Sequence, residues 1–280
     1  MTYDLEQAVR QRRSVRTYDE NRPLSLSDRA ELRKQLAGLQ NPFGVPVRFR
    51  MLDHAGAERD YDLDCKGVIL GTELYLAAVV GPAETLRLEG YGFTVEQAVL
   101  YAAGHGVGTC WVAGTMNRPE FERAAALEPG ETLGAILALG YPADKPSLRE
   151  RAMRKAIRAD SRLSWEELFF DGDFSTPLRP GAAGAFEKAL ELVRLAPSAV
   201  NKQPWRVLRR GKKFHFLENR TMSKDPDSDV QRIDLGIAMT HFDLAVREAG
   251  LTGRWTAEPG ETLPPLPDKW VYTAAWTEDE

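Results

Sequence analysis

The chain has 280 residues, 43% hydrophobic and 28% charged, which suits one large globular domain or two small ones. Its net charge of -4 disfavours a general nucleic-acid or anionic-membrane binder, so we expect neither partner. The four scattered histidines form no metal motif, and the chain has no P-loop and no nucleophile elbow. We therefore expect no metal, and chemistry that belongs to an organic cofactor.

Cysteine usage and the N-terminal residues both favour a cytoplasmic protein. Cys65 and Cys110 lack metal-type spacing and could form at most one disulfide, so a reducing compartment is the simpler interpretation. The first residues lack the basic and apolar regions of a signal peptide. The most apolar stretch, residues 70–80, is interrupted at 71–73 and is too short to cross a bilayer.

The first half predicts a mixture of helices and strands. Apolar spacing predicts helices over residues 4–13 and 25–37, the second with Ser27 as its cap. A further helix is predicted over 94–104, capped by Thr94 and ended by a glycine-rich segment. Apolar or alternating runs predict the strands, which are 45–52, 65–70, 74–80, 109–112 and 133–139.

The second half begins after a change in composition. Residues 143–162 are rich in Lys and Arg and predict an exposed crossing segment with a helix at about 149–157. The segment 171–184, rich in Gly and Pro, is the best candidate for an internal linker. The elements predicted after it are a helix at 185–195, a hairpin of 205–208 with 213–217, a long helix at 233–248 and a strand at 270–276.

One pattern of residues occurs twice at a constant offset. The first copy is Gly92, Leu100, Gly106-Val107 and Trp111, and the second is Gly236, Leu244, Gly250-Leu251 and Trp255. Two unrelated helices that both end in glycine would also give this pattern. The matching order of elements on either side favours an internal duplication instead.

Three short segments carry the residues that bear most on function. They are Gln11-Arg-Arg-Ser-Val-Arg16-Thr-Tyr18, then Gly106-Val-Gly-Thr-Cys-Trp-Val-Ala-Gly114 with Leu139-Gly-Tyr-Pro142, and finally Leu195-Ala-Pro-Ser-Ala-Val-Asn-Lys-Gln-Pro-Trp205. The third is specific, whereas the RRSxR string of the first is weak alone. Together they resemble the FMN-dependent nitroreductase family over most of the chain, and specifically its monomeric, two-repeat branch.

The resemblance implies an α+β, nitroreductase-like fold in two tandem repeats, each with a central, mostly antiparallel sheet flanked by helices. We expect the first repeat at residues 1–170 and a second, shorter one at 171–280, packed intimately as a pseudo-dimer. The first half has RRSxR but lacks the APSxxNxQPW string, and the second half has the reverse. Complementary losses of this kind indicate one complete flavin site and one degenerate site in a fused chain.

The arginine-rich segment is the expected site of the FMN phosphate. Arg12, Arg13, Ser14 and Arg16 offer guanidinium and hydroxyl donors, and Arg12 and Arg16 would converge if the first helix continued through them. A solvated basic helix end is the alternative interpretation. By resemblance, Arg162 also reaches the phosphate, although a surface arginine would match the flanking residues equally well.

The other site residues follow from the resemblance. Pro197, Ser198, Ala199, Asn201 and Gln203 are placed along the ribityl chain and ring edge of the flavin, where the alternative is an ordinary helix-to-strand turn. The resemblance places Val112, Ala113 and Gly114 against the ring, with a backbone N–H directed at flavin N5. This approach requires a small residue, which Ala113 and Gly114 supply. The remaining assignments are Lys202 and Arg206 as cations near the ring, Trp205 in the core, and Cys110 as a buried apolar residue.

The resemblance implies a flavoenzyme that passes a hydride from NADH or NADPH through FMN to a nitroaromatic, quinone or similar acceptor. A fused pair of repeats implies one FMN per chain and a monomer in solution. Two alternatives stay open. One is a flavin-binding or scaffold protein with a partly degenerate site and no turnover. The other is a specialised flavoenzyme of the same fold, such as a dehalogenating or ring-fragmenting one.

Overall fold

The computed structural model describes residues 3–82, 85–222 and 229–279, and these form a mixed α+β structure. They divide into two compact units. The first contains residues 3–40, 46–82 and 97–159, and the second contains residues 41–45, 85–96, 160–222 and 229–279. A compact unit is defined by packing and a repeat by duplication, so the repeat boundary after residue 170 stays a prediction.

The described part of the first unit is built on a four-stranded antiparallel sheet in the order β1-β2-β4-β3. The strands are β1 (Val47–Asp53), β2 (Leu74–Val80), β3 (Gly108–Val112) and β4 (Ile136–Gly140). Every residue of β2 is buried, as expected for a central strand of apolar residues. The helices of this unit are α1 (Leu5–Gln11), α2 (Leu26–Leu36), α4 (Arg118–Ala124) and α5 (Leu148–Ala156).

The second unit has, among its described residues, a six-stranded sheet in the order β6-β5-β7-β8-β10-β9. Its strands are β5 (Phe169–Asp171), β6 (Asp173–Pro177), β7 (Trp205–Arg210), β8 (Lys213–Asn219), β9 (Gly253–Thr256) and β10 (Trp270–Glu278). The β5–β7 pair is parallel and the other pairs are antiparallel. The helices are α6 (Trp165–Leu168), α7 (Glu187–Leu195) and α8 (Val230–Glu248).

Helix α3 (Arg87–Gly104) contributes its first ten residues to the second unit, where they pack against α8. Thr240 Oγ1 donates to Phe93 O at 2.9 Å. The buried imidazole of His241 lies with Nε2 3.0 Å from Glu96 Oε1 and Nδ1 2.9 Å from Leu192 O. Buried polar groups that are satisfied in this way fix how α3, α7 and α8 meet.

Two predicted helix starts are wrong. Helix α3 begins at or before Arg87, so Thr94 lies inside it, and its hydroxyl donates to Gly90 O at 2.8 Å instead of capping the helix. Helix α2 is capped by Ser25, whose side chain accepts from Asp28 N at 3.0 Å, and Ser27 is its second residue. A Ser or Thr is a residue type that caps helices, but it can also lie inside a helix that begins further toward the N-terminus, and the residue type alone does not distinguish the two cases.

Two assignments of extended structure also differ. Residues 65–70 form turns around an isolated bridge at Leu70, and no strand. The Gly- and Pro-rich segment 171–184 is not only a linker, because β6 lies within it and pairs with β5. Strand β6 is mostly exposed and occupies the sheet edge, where apolar alternation is not required. No helix in the part of the chain that the structure describes has the length and apolar character needed to cross a membrane.

Candidate functional site

The arginine-rich segment leaves α1 at Arg12 and continues as extended chain beside β3. Val15 N donates to Thr109 O at 2.9 Å, and Ser14 forms a parallel bridge with the same residue. A Cβ on Gly108 would lie 3.0 Å from Val15 Cγ2, so glycine at that position permits the close approach. The sequence thus brings two of its predicted site segments together within the first unit.

Arg12, Ser14 and Arg16 converge by a different geometry from the one expected. Helix α1 ends at Gln11 and Arg12 has non-helical backbone angles, so convergence by a continued helix is wrong. Alternate residues of extended chain point to the same side, which places these three together and Val15 in the core. Arg13 is exposed.

The pKa of Cys110 on β3 is affected by the positive charges of this segment. Burial raises the pKa of the Cys110 thiol, while the nearby charges of Arg16 and Arg12 and a hydrogen bond with Ser14 lower it. Burial likewise raises the pKa of Cys65, to about 12. Both cysteines are free and buried, so each behaves as a small apolar residue, as expected for Cys110.

A buried carboxylate that sequence reasoning missed holds the arginine-rich segment in place. Glu150 on α5 is 4% exposed, and its Oε2 accepts from Arg16 N at 3.1 Å and from Thr17 Oγ1 at 2.9 Å. Ser147 closes a cycle of hydrogen bonds with Thr17 and Glu150. Its backbone N donates to Thr17 Oγ1, and its Oγ accepts from Glu150 N. The only sequence signal was a Ser and a Glu three residues apart at a helix start.

The predicted flavin-facing residues 112–114 follow directly from β3. Val112 is its buried last residue, Ala113 is half-buried and Gly114 is exposed. A Cβ added to Gly114 would meet no atom within 4 Å, and its φ lies outside the left-handed region. Neither packing nor backbone conformation therefore accounts for the small residue at the end of this strand.

In the second unit, the segment after α7 forms a turn with unusual backbone angles. Val200, Asn201 and Gln203 have φ values of 44°, 57° and 49°. The left-handed region is unfavourable for residues with a side chain, above all for a β-branched one such as Val200, and costs on the order of 1–3 kcal/mol each. Residues held in this way are concentrated at ligand sites, and the surrounding contacts must maintain them.

Hydrogen bonds among the predicted residues brace this turn. Ser198 Oγ accepts from Gln203 N at 2.8 Å. Gln203 is 3% exposed, and its Oε1 accepts from Leu163 N at 2.9 Å. Arg162 Nη1 lies 3.4 Å from Asn201 Oδ1, and Asn201 Nδ2 donates to Ser161 O at 3.1 Å. The segment around Arg162 and the APSxxNxQPW segment, which are separated in sequence, thus form one cluster.

The turn is also attached to α8 through a residue that no motif indicated. Both carboxylate oxygens of Asp234 accept from Ala199 N, at 3.0 and 3.1 Å. Asp234 is 3% exposed, and burial raises the pKa of its carboxyl well above the usual range.

The neighbouring cations differ in their environment. Lys202 is exposed, whereas Arg206 is buried, donates to the carbonyl oxygens of Gln203 and Trp205, and lies over the Trp270 ring. Burial lowers the pKa of Arg206. Trp205 is fully buried in the core, as predicted.

Comparison with known proteins assigns the fold. A protein-family model described as "Putative TM nitroreductase" matches residues 4–246. The solved structure of a "putative nitroreductase" from Thermotoga maritima MSB8 matches with a TM-score of 0.61 and 20% identity, covering 99% of this chain and 94% of that one. This match and the two mostly antiparallel sheets agree with the predicted nitroreductase-like α+β fold, and a fused two-repeat arrangement fits them.

Two further solved structures are each described as a "putative nitroreductase in complex with FMN". One from Desulfovibrio desulfuricans has a TM-score of 0.43 and 20% identity, with 52% of this chain and 91% of that chain covered. One from Exiguobacterium sibiricum 255-15 has a TM-score of 0.42 and 17% identity, with 53% and 93% covered. No curated protein matches the chain.

Proposed function

The chain belongs to the nitroreductase family described as "Putative TM nitroreductase", and from this premise we propose that it is an FMN-dependent oxidoreductase. In the proposed reaction a hydride passes from NADH or NADPH through FMN to a nitroaromatic, quinone or similar small acceptor. FMN supplies the hydride chemistry when bound, and the protein supplies binding and orientation.

The observation that carries this proposal is the braced turn at residues 197–203. Arg162, Asn201 and Gln203 were assigned to the flavin by resemblance, and in the second unit they belong to one hydrogen-bonded cluster. The strained backbone of the turn has no role in sheet pairing. Strain maintained by a dedicated network supports a ligand site.

The arginine-rich segment fits the phosphate of FMN. A phosphate monoester carries close to two negative charges, and it needs fixed cations and donors. Arg12 and Arg16 project from the same side of extended chain as Ser14, whose hydroxyl adds a donor. Glu150 fixes the backbone of Arg16, so the segment is preorganised for an anion.

The small residues after β3 suit a flat ring. Open space next to Gly114 leaves its backbone accessible, and a backbone N–H of residues 112–114 would donate to flavin N5. Ser198 and Asn201 would bind the ribityl chain and ring edge through their hydroxyl and amide groups. No side chain is required as a general acid or base.

Complementary motifs in the two halves support one FMN bound by residues of both repeats. We further propose that the chain is a pseudo-dimer, monomeric in solution, since the fused second repeat replaces the partner subunit. The reaction is assigned to the cytoplasm, with NAD(P)H and a small-molecule acceptor as its partners. The two free thiols suit a reducing compartment.

The test begins with the colour of the purified protein. We expect a yellow protein whose flavin absorbance is bleached by NADH or NADPH in anaerobic stopped flow. Re-oxidation by a panel of nitroaromatics and quinones then identifies the acceptor class. Flavin that binds but is bleached by neither nicotinamide would favour the flavin-binding or scaffold alternative, and a protein without affinity for FMN would overturn the proposal.

A further inference from the structure

Asp234 is a buried carboxylate on α8 that belongs to none of the family motifs in this sequence. It is 3% exposed, and the carboxylates of Asp229, Glu96 and Glu218 lie close enough to raise its pKa further after burial has done so. A carboxyl group in such surroundings is costly for the fold. Its presence therefore calls for a function that offsets this cost.

The contact made by Asp234 identifies that function. Ala199 N donates to both of its oxygens, and Ala199 directly precedes the left-handed residues Val200 and Asn201. Ser198, on the other side of Ala199, accepts from Gln203 N and closes the turn. The carboxylate thus binds the backbone N–H of Ala199, which lies between Ser198 and the left-handed residues Val200 and Asn201.

The equivalent position in the first half of the chain is a glycine, which has no side chain to act as an anchor. At the constant offset of the repeated pattern, Asp234 corresponds to Gly90. A Cβ on Gly90 would lie 2.8 Å from Val45 and 3.2 Å from Asn41 Oδ1, so no larger side chain fits there. The segment 41–45 instead closes on itself, with Asn41 Oδ1 accepting from Phe43 N and Val45 N.

The carboxylate therefore occurs only in the half that has the APSxxNxQPW string. We propose that Asp234 is a positioning residue of the FMN site, whose oxygen holds the turn of residues 198–203 in its binding conformation. This inference rests on the proposed function. It assigns Asp234 no contact with the flavin, only with the backbone of the turn.

The experiment compares FMN affinity in four variants by quenching of flavin fluorescence. Asp234→Val and Asp234→Ala remove the acceptor, and Asp234→Asn retains one acceptor oxygen. Asp243→Ala is the matched control, because Asp243 is a buried carboxylate on the same helix that accepts from Trp255 Nε1. We expect FMN to bind about tenfold or more weakly to the Val and Ala variants, and near-normally to the Asn variant and the control.

Hydrogen exchange of the flavin-free proteins distinguishes local loosening of the turn from a general loss of stability. Amides of residues 199–203 should exchange faster in Asp234→Val, while those of β7 and β8 should not. If Asp234→Ala fails to fold, Asp234→Val decides, because valine fills the site without a buried charge or a hydrogen-bond acceptor. If neither variant folds, Asp234→Asn decides: faster exchange of residues 199–203 or weaker FMN binding in Asp234→Asn than in the parent overturns the proposal. Normal affinity in a folded Val or Ala variant also overturns it. Absence of FMN binding by the parent protein would instead overturn the proposed function.

Discussion

Gly92 and Gly236 lie at equivalent places in the crossing of α3 and α8. A Cβ on Gly92 would be 2.2 Å from Ile233 O, and a Cβ on Gly236 would be 2.0 Å from Glu89 O. Residues 89 and 233 have the same offset as residues 92 and 236. Each helix therefore contacts the other through the same positions, as in an isologous two-fold interface, which supports the duplication.

This crossing predicts that Gly236→Ala destabilises the protein by about 2 kcal/mol or more, because the new methyl group would overlap backbone atoms that cannot rotate away. The free energy of unfolding is measured by urea titration. Gly81→Ala is the control, since a Cβ there would meet no atom within 4 Å. A Gly236→Ala variant as stable as the parent would contradict the close approach.

The phosphate assignment predicts weaker FMN binding when its cations are removed. Arg12→Ala or Arg16→Ala should each cost about 1.5–3 kcal/mol of binding free energy, which corresponds to roughly tenfold or more in the dissociation constant. Arg10→Ala is the control, because Arg10 lies in the last turn of α1, just before this segment, and is paired with Glu6 at the surface. Unchanged FMN affinity in both site variants would show that the phosphate binds elsewhere.

The fused-site model predicts one FMN per chain and a monomer. Absorbance of the purified holoprotein gives the flavin ratio, and light scattering gives the mass. Asn201→Ala should lower flavin retention, because the fused-site model assigns Asn201 to the second repeat, where it would bind the same flavin as Arg12. A ratio near two, or a stable dimer whose FMN is unaffected by Asn201→Ala, would require the pseudo-dimer to be abandoned.

His215 predicts a loss of stability in mild acid. It is buried on β8, with Nε2 3.0 Å from Glu261 Oε1. Burial lowers the pKa of His215, and Lys213 and Arg210 add to the effect, although Glu261 opposes it. As the pH falls below the unfolded value of about 6.5, the unfolded chain takes up a proton that the folded chain resists, so stability is lost.

The measurement is urea unfolding at about pH 7.5 and about pH 5. His215→Gln should be less stable than the parent at the higher pH, and the difference should narrow at the lower one. His105→Gln, at an exposed position, should keep the parent's pH dependence. A difference for His215→Gln that stays constant or widens in acid would contradict the assignment.

Much of the architecture could be predicted because its signals are local. The hairpin of β7 and β8 is encoded by apolar strands around Gly211, whose φ is 59°. Helix α5 was predicted within a residue at each end, inside a segment rich in Lys and Arg. The site segments were found by their resemblance to a family, which supplied residue types and roles without geometry.

The sequence alone determined the family, the fold class and the elements whose residues encode their own start and end. Tertiary structure decided that Thr94 lies inside a helix, that β6 pairs at a sheet edge, and that Glu150 and Asp234 hold the two candidate site segments. The physical reason is the same in each case. A hydroxyl, an exposed strand or a buried carboxylate acquires its role from a partner brought close by folding, and the neighbouring residues do not identify that partner.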